Sequence, residues 1–168
     1  MRLAEFFAAQ LEREAAVSRR TLERVPEGRD DWKPHEKSMA FGYLATLVAS
    51  MPSWLAMTVN RDELDLNPPA GQGFRPPQWK TNAELLQAHD RCVADGLQAL
   101  RGASDEHLGE PWRLLVGGRV VAENPRHVVL ADTFTHLAHH RGQLTVYLRL
   151  MGVPVPSVYG PSADDRTF

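Results

Sequence analysis

A chain of 168 residues has the usual length of one domain, and 43% hydrophobic with 24% charged residues suits a single packed core while excluding a disordered or fibrous composition. Nineteen basic residues stand against 21 acidic ones with no long run of either sign, so no basic patch marks a nucleic-acid partner, and a lone cysteine, Cys92, excludes an intramolecular disulfide or a zinc site built from cysteine pairs. No window approaches the roughly 18 apolar residues of a membrane span, and Glu5, Glu12 and Glu14 interrupt the run that a signal peptide needs, so the chain reads as one soluble cytoplasmic domain, 1–168.

In chain order, Leu3, Phe6, Phe7, Leu11, Ala15, Leu22 and Val25 recur at helical spacing, which predicts an amphipathic helix over 3–24 ended by Pro26 and Gly28. Ser38 is placed to cap a second helix running through Leu44, Leu47, Val48 and Met51 towards Val59, with a kink or break near 48–52 because Pro52 lacks an N–H and crowds the preceding turn. Residues 60–80, rich in proline and glycine, read as a long irregular crossover. Thr81 and Glu84 match a capping box ahead of a third helix through Leu85, His89, Cys92, Val93 and Leu100. Leu114–Val116 and Val120–Val121 flank Gly117-Gly118 at the spacing of a tight hairpin. Asn124 and Pro125 then open a fourth helix over about 125–151, closed by Gly152 and Pro154, and the tail is extended, with Val155, Val158 and Tyr159 as anchors. The expected fold is all-α: a four-helix bundle with a long crossover connection and a short β-hairpin before the last helix.

The fourth helix carries the chemistry. Asp132, His136, His139, His140, Gln143 and Tyr147 lie along one side in steps of three and four. His136 and His140 are one turn apart, where two imidazoles can converge on one transition metal; Leu137 stands where the helical zinc-protease signature needs its glutamate, so that reading fails. Asp132 can orient His136 from one turn away. Two histidines at this spacing also arise on a solvated helix face. Cys92 reads as a small buried hydrophobe, and Trp32, Trp54, Trp79 and Trp112 as packing anchors, with Trp79 in a loop that can border a pocket.

The segment Phe134-Thr-His-Leu-Ala-His-His-Arg-Gly-Gln-Leu144, followed by Tyr147-Leu-Arg-Leu-Met-Gly-Val-Pro154 and Tyr159-Gly-Pro-Ser-Ala-Asp164, resembles the C-terminal part of DinB-family proteins. Trp32-Lys-Pro34 and Ser38-Met39, with Gly42 and Leu44, resemble that family's approach to its second helix, so the likeness covers essentially the whole chain. The resemblance implies a four-helix bundle, often a homodimer, holding a divalent metal (Zn, Ni or Fe) on one histidine of the second helix and two of the fourth. The latter two correspond to His136 and His140, and the position of the former is Leu47. Leucine cannot coordinate a metal, so the implied ligand set is incomplete. His35, His89, His107 and His127 are the remaining imidazoles, none of them at the family's ligand position, while His139 points about 100 degrees from His140 and reads as an outer, tail or subunit contact.

Two functions follow from the resemblance. One is a metal-dependent transferase or hydrolase acting with a low-molecular-weight thiol, in which the metal activates thiol or water. The other is a non-catalytic bundle that binds a small molecule or a protein partner.

Overall fold

A computed structural model describes residues 2–69 and 79–167. Among these it contains six helices, α1 (Leu3–Leu22), α2 (Phe41–Ser50), α3 (Pro52–Asn60), α4 (Asn82–Gly102), α5 (Asp105–Gly109) and α6 (Arg126–Leu150), and three strands, β1 (Glu63–Asp65), β2 (Pro111–Val116) and β3 (Arg119–Pro125). No single described helix is long and apolar enough to cross a membrane.

The apolar spacing of α1 is used in large part: Phe7, Leu11, Ala15 and Leu22 are buried, whereas Leu3 and Phe6, expected on the same stripe, are exposed. Asp105 at the start of α5 accepts from the Leu3 amide at 2.8 Å, and the Asn82 carboxamide donates to the Leu22 and Val25 carbonyls at 2.8 and 3.1 Å, so each end of α1 has backbone groups satisfied by another helix. The expected second helix is two helices, broken at Met51 with a bend of 49°, because Pro52 supplies no N–H to continue the ladder. Ser38 does not cap it. The helix begins at Phe41, whose amide donates to the Trp32 carbonyl at 2.9 Å while the Gly42 amide donates to Asp30 at 2.9 Å, so the preceding loop satisfies the donors that a side-chain cap would take. A Cβ on Gly42 would lie 2.8 Å from Asp30 Oδ1, which is why glycine stands there.

Two further corrections concern the sheet. The segment expected to be wholly irregular contains β1, which pairs parallel to β2 in the order β1-β2-β3. The hairpin is longer than expected, with Asn124 paired to Trp112, so the residue expected to cap the last helix lies in a strand and Pro125 occupies the cap position. Gly117 and Gly118 both have positive φ, as the tight turn requires, and their amides donate to the Asp65 carboxylate, which closes the turn against β1. α5 was not anticipated; Ser104 caps it by accepting from the His107 amide at 3.1 Å. Thr81 does cap α4. Glu84 accepts from Lys80 and not from Thr81, so the box is displaced by one residue.

α1, the α2–α3 pair, α4 and α6 enclose two apolar clusters. One gathers Phe41, Leu44, Val48, Leu85, Leu144 and Leu148, and the other Phe7, Leu11, Leu55, Leu100, Leu108 and Leu130. Between them runs a buried polar link. Arg141 of α6, fully buried, donates to the Glu14 carboxylate (2.6 Å), the Glu14 carbonyl (3.1 Å), the Ser18 hydroxyl (3.0 Å) and the Tyr159 hydroxyl. Tyr159 donates in turn to Glu14 at 2.9 Å, so the tail is anchored by its hydroxyl while its ring stays exposed. Beyond it, the Asp165 carboxyl is held down at about 2, first by the Ser157 amide and then by Thr167, which fixes the tail's return turn.

Removing one partner of a buried ion pair leaves a charge without compensation, at a cost of about 3–5 kcal/mol. Glu14→Ala is expected to lower unfolding free energy by that amount in urea titrations, and Glu14→Leu with Arg141→Met to recover most of it. A loss below about 1 kcal/mol, the worth of an exposed pair, would show that the link does not behave as a buried one.

Candidate functional site

The site lies where α6 faces the bend between α2 and α3. Helical steps of three and four bring Leu47, Ser50, Trp54, Met57 and Thr58 to the wall opposite α6, and Val129, Asp132, Thr133, His136 and His140 line the α6 side. Leu64 and Leu66, with Trp112 and Leu114, close the space from the sheet. The resulting cavity is about 770 Å³. This lies within the range of small-molecule sites, about 300–1,000 Å³.

His136 and His140 converge as expected. Their Nε2 atoms are 2.7 Å apart and their ring centroids 4.5 Å apart, with His140 buried and His136 at the open rim. His140 Nδ1 donates to the Gln143 carboxamide oxygen at 2.8 Å. Burial holds both imidazoles below their ordinary value, so the neutral forms prevail near pH 7. A neutral His140 with its proton on Nδ1 has a lone pair at Nε2, and that assigns the shared bond: His136 Nε2–H donates to His140 Nε2. Trp54 packs edge-on against His136, with ring centroids 5.5 Å apart.

Asp132 lines the same cavity but makes no hydrogen bond to either imidazole, so the expected orientation of His136 by Asp132 is not made; Gln143 orients His140 instead. His139 stacks edge-on against His140 at 5.1 Å and is otherwise exposed. The other histidines are engaged elsewhere: His107 with the Val59 carbonyl (2.7 Å), His127 with the Leu108 carbonyl (3.0 Å), and His35 with the Lys37 amide (3.2 Å). His89 lies buried between the Ala49 and Ala15 carbonyls at 3.2 and 3.3 Å. Cys92 is half-buried, and burial pushes its thiol up, away from the thiolate a nucleophile needs. Trp79 reaches the cavity wall indirectly, its indole N–H donating to the Thr46 hydroxyl at 2.6 Å.

A three-histidine metal does not fit these residues. Zinc bonds of about 2.0–2.1 Å at tetrahedral angles hold two nitrogens about 3.3 Å apart, so the pair must open before it can share an ion. Leu47 lines the cavity without a donor, and no group of three His, Cys, Asp or Glu side chains among the described residues is arranged to hold one. What the sequence did not reveal is the rest of the cavity. Trp54 follows Leu47 and Ser50 at helical steps, a signal that was present, whereas the contribution of Leu64 and Trp112 depends on a sheet with little sequence signature. Trp112 is buried there, and its Nε1–H has no partner among the described residues.

This architecture is shared with solved proteins. A DinB-like protein from Bacillus subtilis, YjoA, superposes with a TM-score of 0.69 at 17% identity, covering 95% of this chain and 99% of its own. A DinB-like protein from Bacillus cereus gives 0.70 at 19% identity, covering 92% and 97%. At such identities the likeness is one of fold. The DinB family model matches residues 118–167, the segment that carries the histidine pair. An uncharacterised Bacillus subtilis protein, YrdA, is 42% identical over 69 residues, which are 41% of this chain and 39% of that relative, so the match spans well under half of either. The chain is thus similar in fold to DinB-like proteins, and its C-terminal segment matches the DinB family model.

His89 sets a pH dependence on stability. Its two carbonyl neighbours favour the imidazolium, but burial outweighs them and its value falls below 6.5. The unfolded chain therefore takes up a proton more readily than the folded one, and stability is full above 6.5 and is lost as pH falls below it. Urea unfolding at a series of pH values between 8 and 5 should show this decline, and His89→Gln should reduce it, leaving the part contributed by His136 and His140, which are lowered in the same direction. A wild type as stable at the acid end as at the alkaline end would contradict the assignment.

Proposed function

We propose that this DinB-like protein binds a small, mostly apolar molecule in the cavity between α2, α3 and α6, with His136 and His140 as its polar recognition point and no resident three-histidine metal. The observation that carries the reading is the direct hydrogen bond between the two imidazoles, 2.7 Å long, in the wall of a cavity of about 770 Å³. Leu47 lines that cavity at the position where the family resemblance calls for a third imidazole. The lining supports it further: aromatic and aliphatic surface dominates, with a few convergent hydrogen-bonding groups, which is the usual make-up of a small-molecule site.

A second reading, thiol transfer at a metal held by two histidines, rests on the convergence of the same two nitrogens. One experiment separates them. Zinc affinity is measured by competition with a chromophoric chelator for wild type, Leu47→His, and Leu47→His with His136→Ala. The binding-protein reading expects weak zinc binding in wild type and a gain of at least about 10- to 100-fold in Leu47→His, since a direct ligand counts for no less than the outer-shell groups known to have that effect. The gain should vanish in the double variant. Tight zinc binding by wild type, equal to that of Leu47→His, would contradict this reading and favour the second.

A further inference from the structure

The charge pattern of the cavity indicates what kind of molecule it takes. Among the described residues that line it there is no lysine or arginine, but there are two aspartates, Asp65 and Asp132. Asp65 is already engaged: its carboxylate accepts from the amides of Asn67, Gly117 and Gly118. Asp132 is in no hydrogen bond or ion pair with any described residue, so its carboxylate faces the cavity region without a countercharge. One turn further along α6 stands His136, neutral and bonded to His140. Among the described lining residues an anionic head group would meet Asp132 and no cation. A protonated amine would meet an acceptor of opposite charge and aromatic rings, Trp54 and Trp112, that attract cations on their faces. The Trp112 N–H is itself buried, so what Trp112 offers the cavity is ring surface.

The apolar part of the site has a measurable extent. From Val129 to His136 the cavity follows α6 for about 10 Å at 1.5 Å per residue. Over that stretch Met57, Leu64 and Leu114 face it from the other elements.

We propose that the cavity selects an apolar primary amine in its protonated form over the matching alcohol and carboxylate, with Asp132 as the charge partner of the ammonium. The proposal rests on reading the cavity as a small-molecule site, and the test is arranged so that the two can fail separately.

The probes are n-octylamine, 1-octanol and octanoate, titrated into the full chain at neutral pH and fixed ionic strength, with binding followed by calorimetry and by tryptophan fluorescence. Octylamine is expected to bind about tenfold more tightly than octanol, the worth of one charge-assisted hydrogen bond in a partly open site, and octanoate most weakly. Asp132→Asn should bring octylamine to the level of octanol and leave octanol unchanged. Octanol or octanoate binding wild type as tightly as octylamine would overturn the amine preference while leaving the cavity reading in place, and this comparison needs no variant. A preference for octylamine that survives in folded Asp132→Asn would overturn the role of Asp132. Failure of all three probes to bind would overturn both the preference and the cavity reading.

Discussion

A guanidinium cannot be left unpaired in a protein interior, and α6 buries two of them. Arg141 is held on the α1 side by Glu14 and Ser18, and Arg126, equally buried, donates to the Thr58 carbonyl (3.1 Å), the Pro111 carbonyl (3.0 Å) and the Asp62 carboxylate. These two anchors fix the helix along its axis and in rotation about it. Because neighbouring residues on a helix point about 100 degrees apart, directing Arg141 into α1 turns His140, and with it His136 one turn earlier, towards α2 and α3. The position of the imidazole pair is thus a consequence of where the arginines find their partners.

The same anchors build the other wall. Arg126 gathers the end of α3, the segment leading into β1 and the start of β2, and Asp62 then accepts through its carbonyl from the Arg113 amide at 3.0 Å. A three-residue strand has little stability by itself. β1 persists because Arg126 holds one end and the Asp65 carboxylate holds the other to the glycine turn. Leu64 and Leu114 are thereby brought against Val129 of α6, and the cavity acquires an apolar end remote from the imidazoles. The pair itself is left in an environment that favours neutral rings, where the bond between them and the bond to Gln143 satisfy three of four ring nitrogens.

Much of this was legible in the sequence, for identifiable reasons. α1, α4 and α6 are long enough for apolar periodicity to define them, Pro52 announced the break between α2 and α3, and the glycine pair announced the hairpin turn. The spacing of His136 and His140 was enough to place both rings together on one helix face. Less visible were features that arise only when distant segments meet. Glu63-Leu64-Asp65 has no alternation to mark a strand, and its pairing depends on Arg126, more than 60 residues away. Arg126 and Arg141 look like ordinary solvated positions until their carbonyl and carboxylate partners are known. The caps assigned to Ser38 and Asn124 were sound local chemistry overridden by tertiary contacts: a loop carbonyl replaced the first, and strand pairing claimed the second.

On the proposed reading, the imidazole pair serves as a hydrogen-bonding point in a ligand cavity and does not retain a metal. The most direct measurement is the zinc, nickel and iron content of the full chain, expressed without an affinity tag, purified without metal-loaded resin and dialysed against metal-free buffer. Metal far below one equivalent per chain is expected. One equivalent of a single metal, retained through dialysis and lost in His140→Ala, would contradict it.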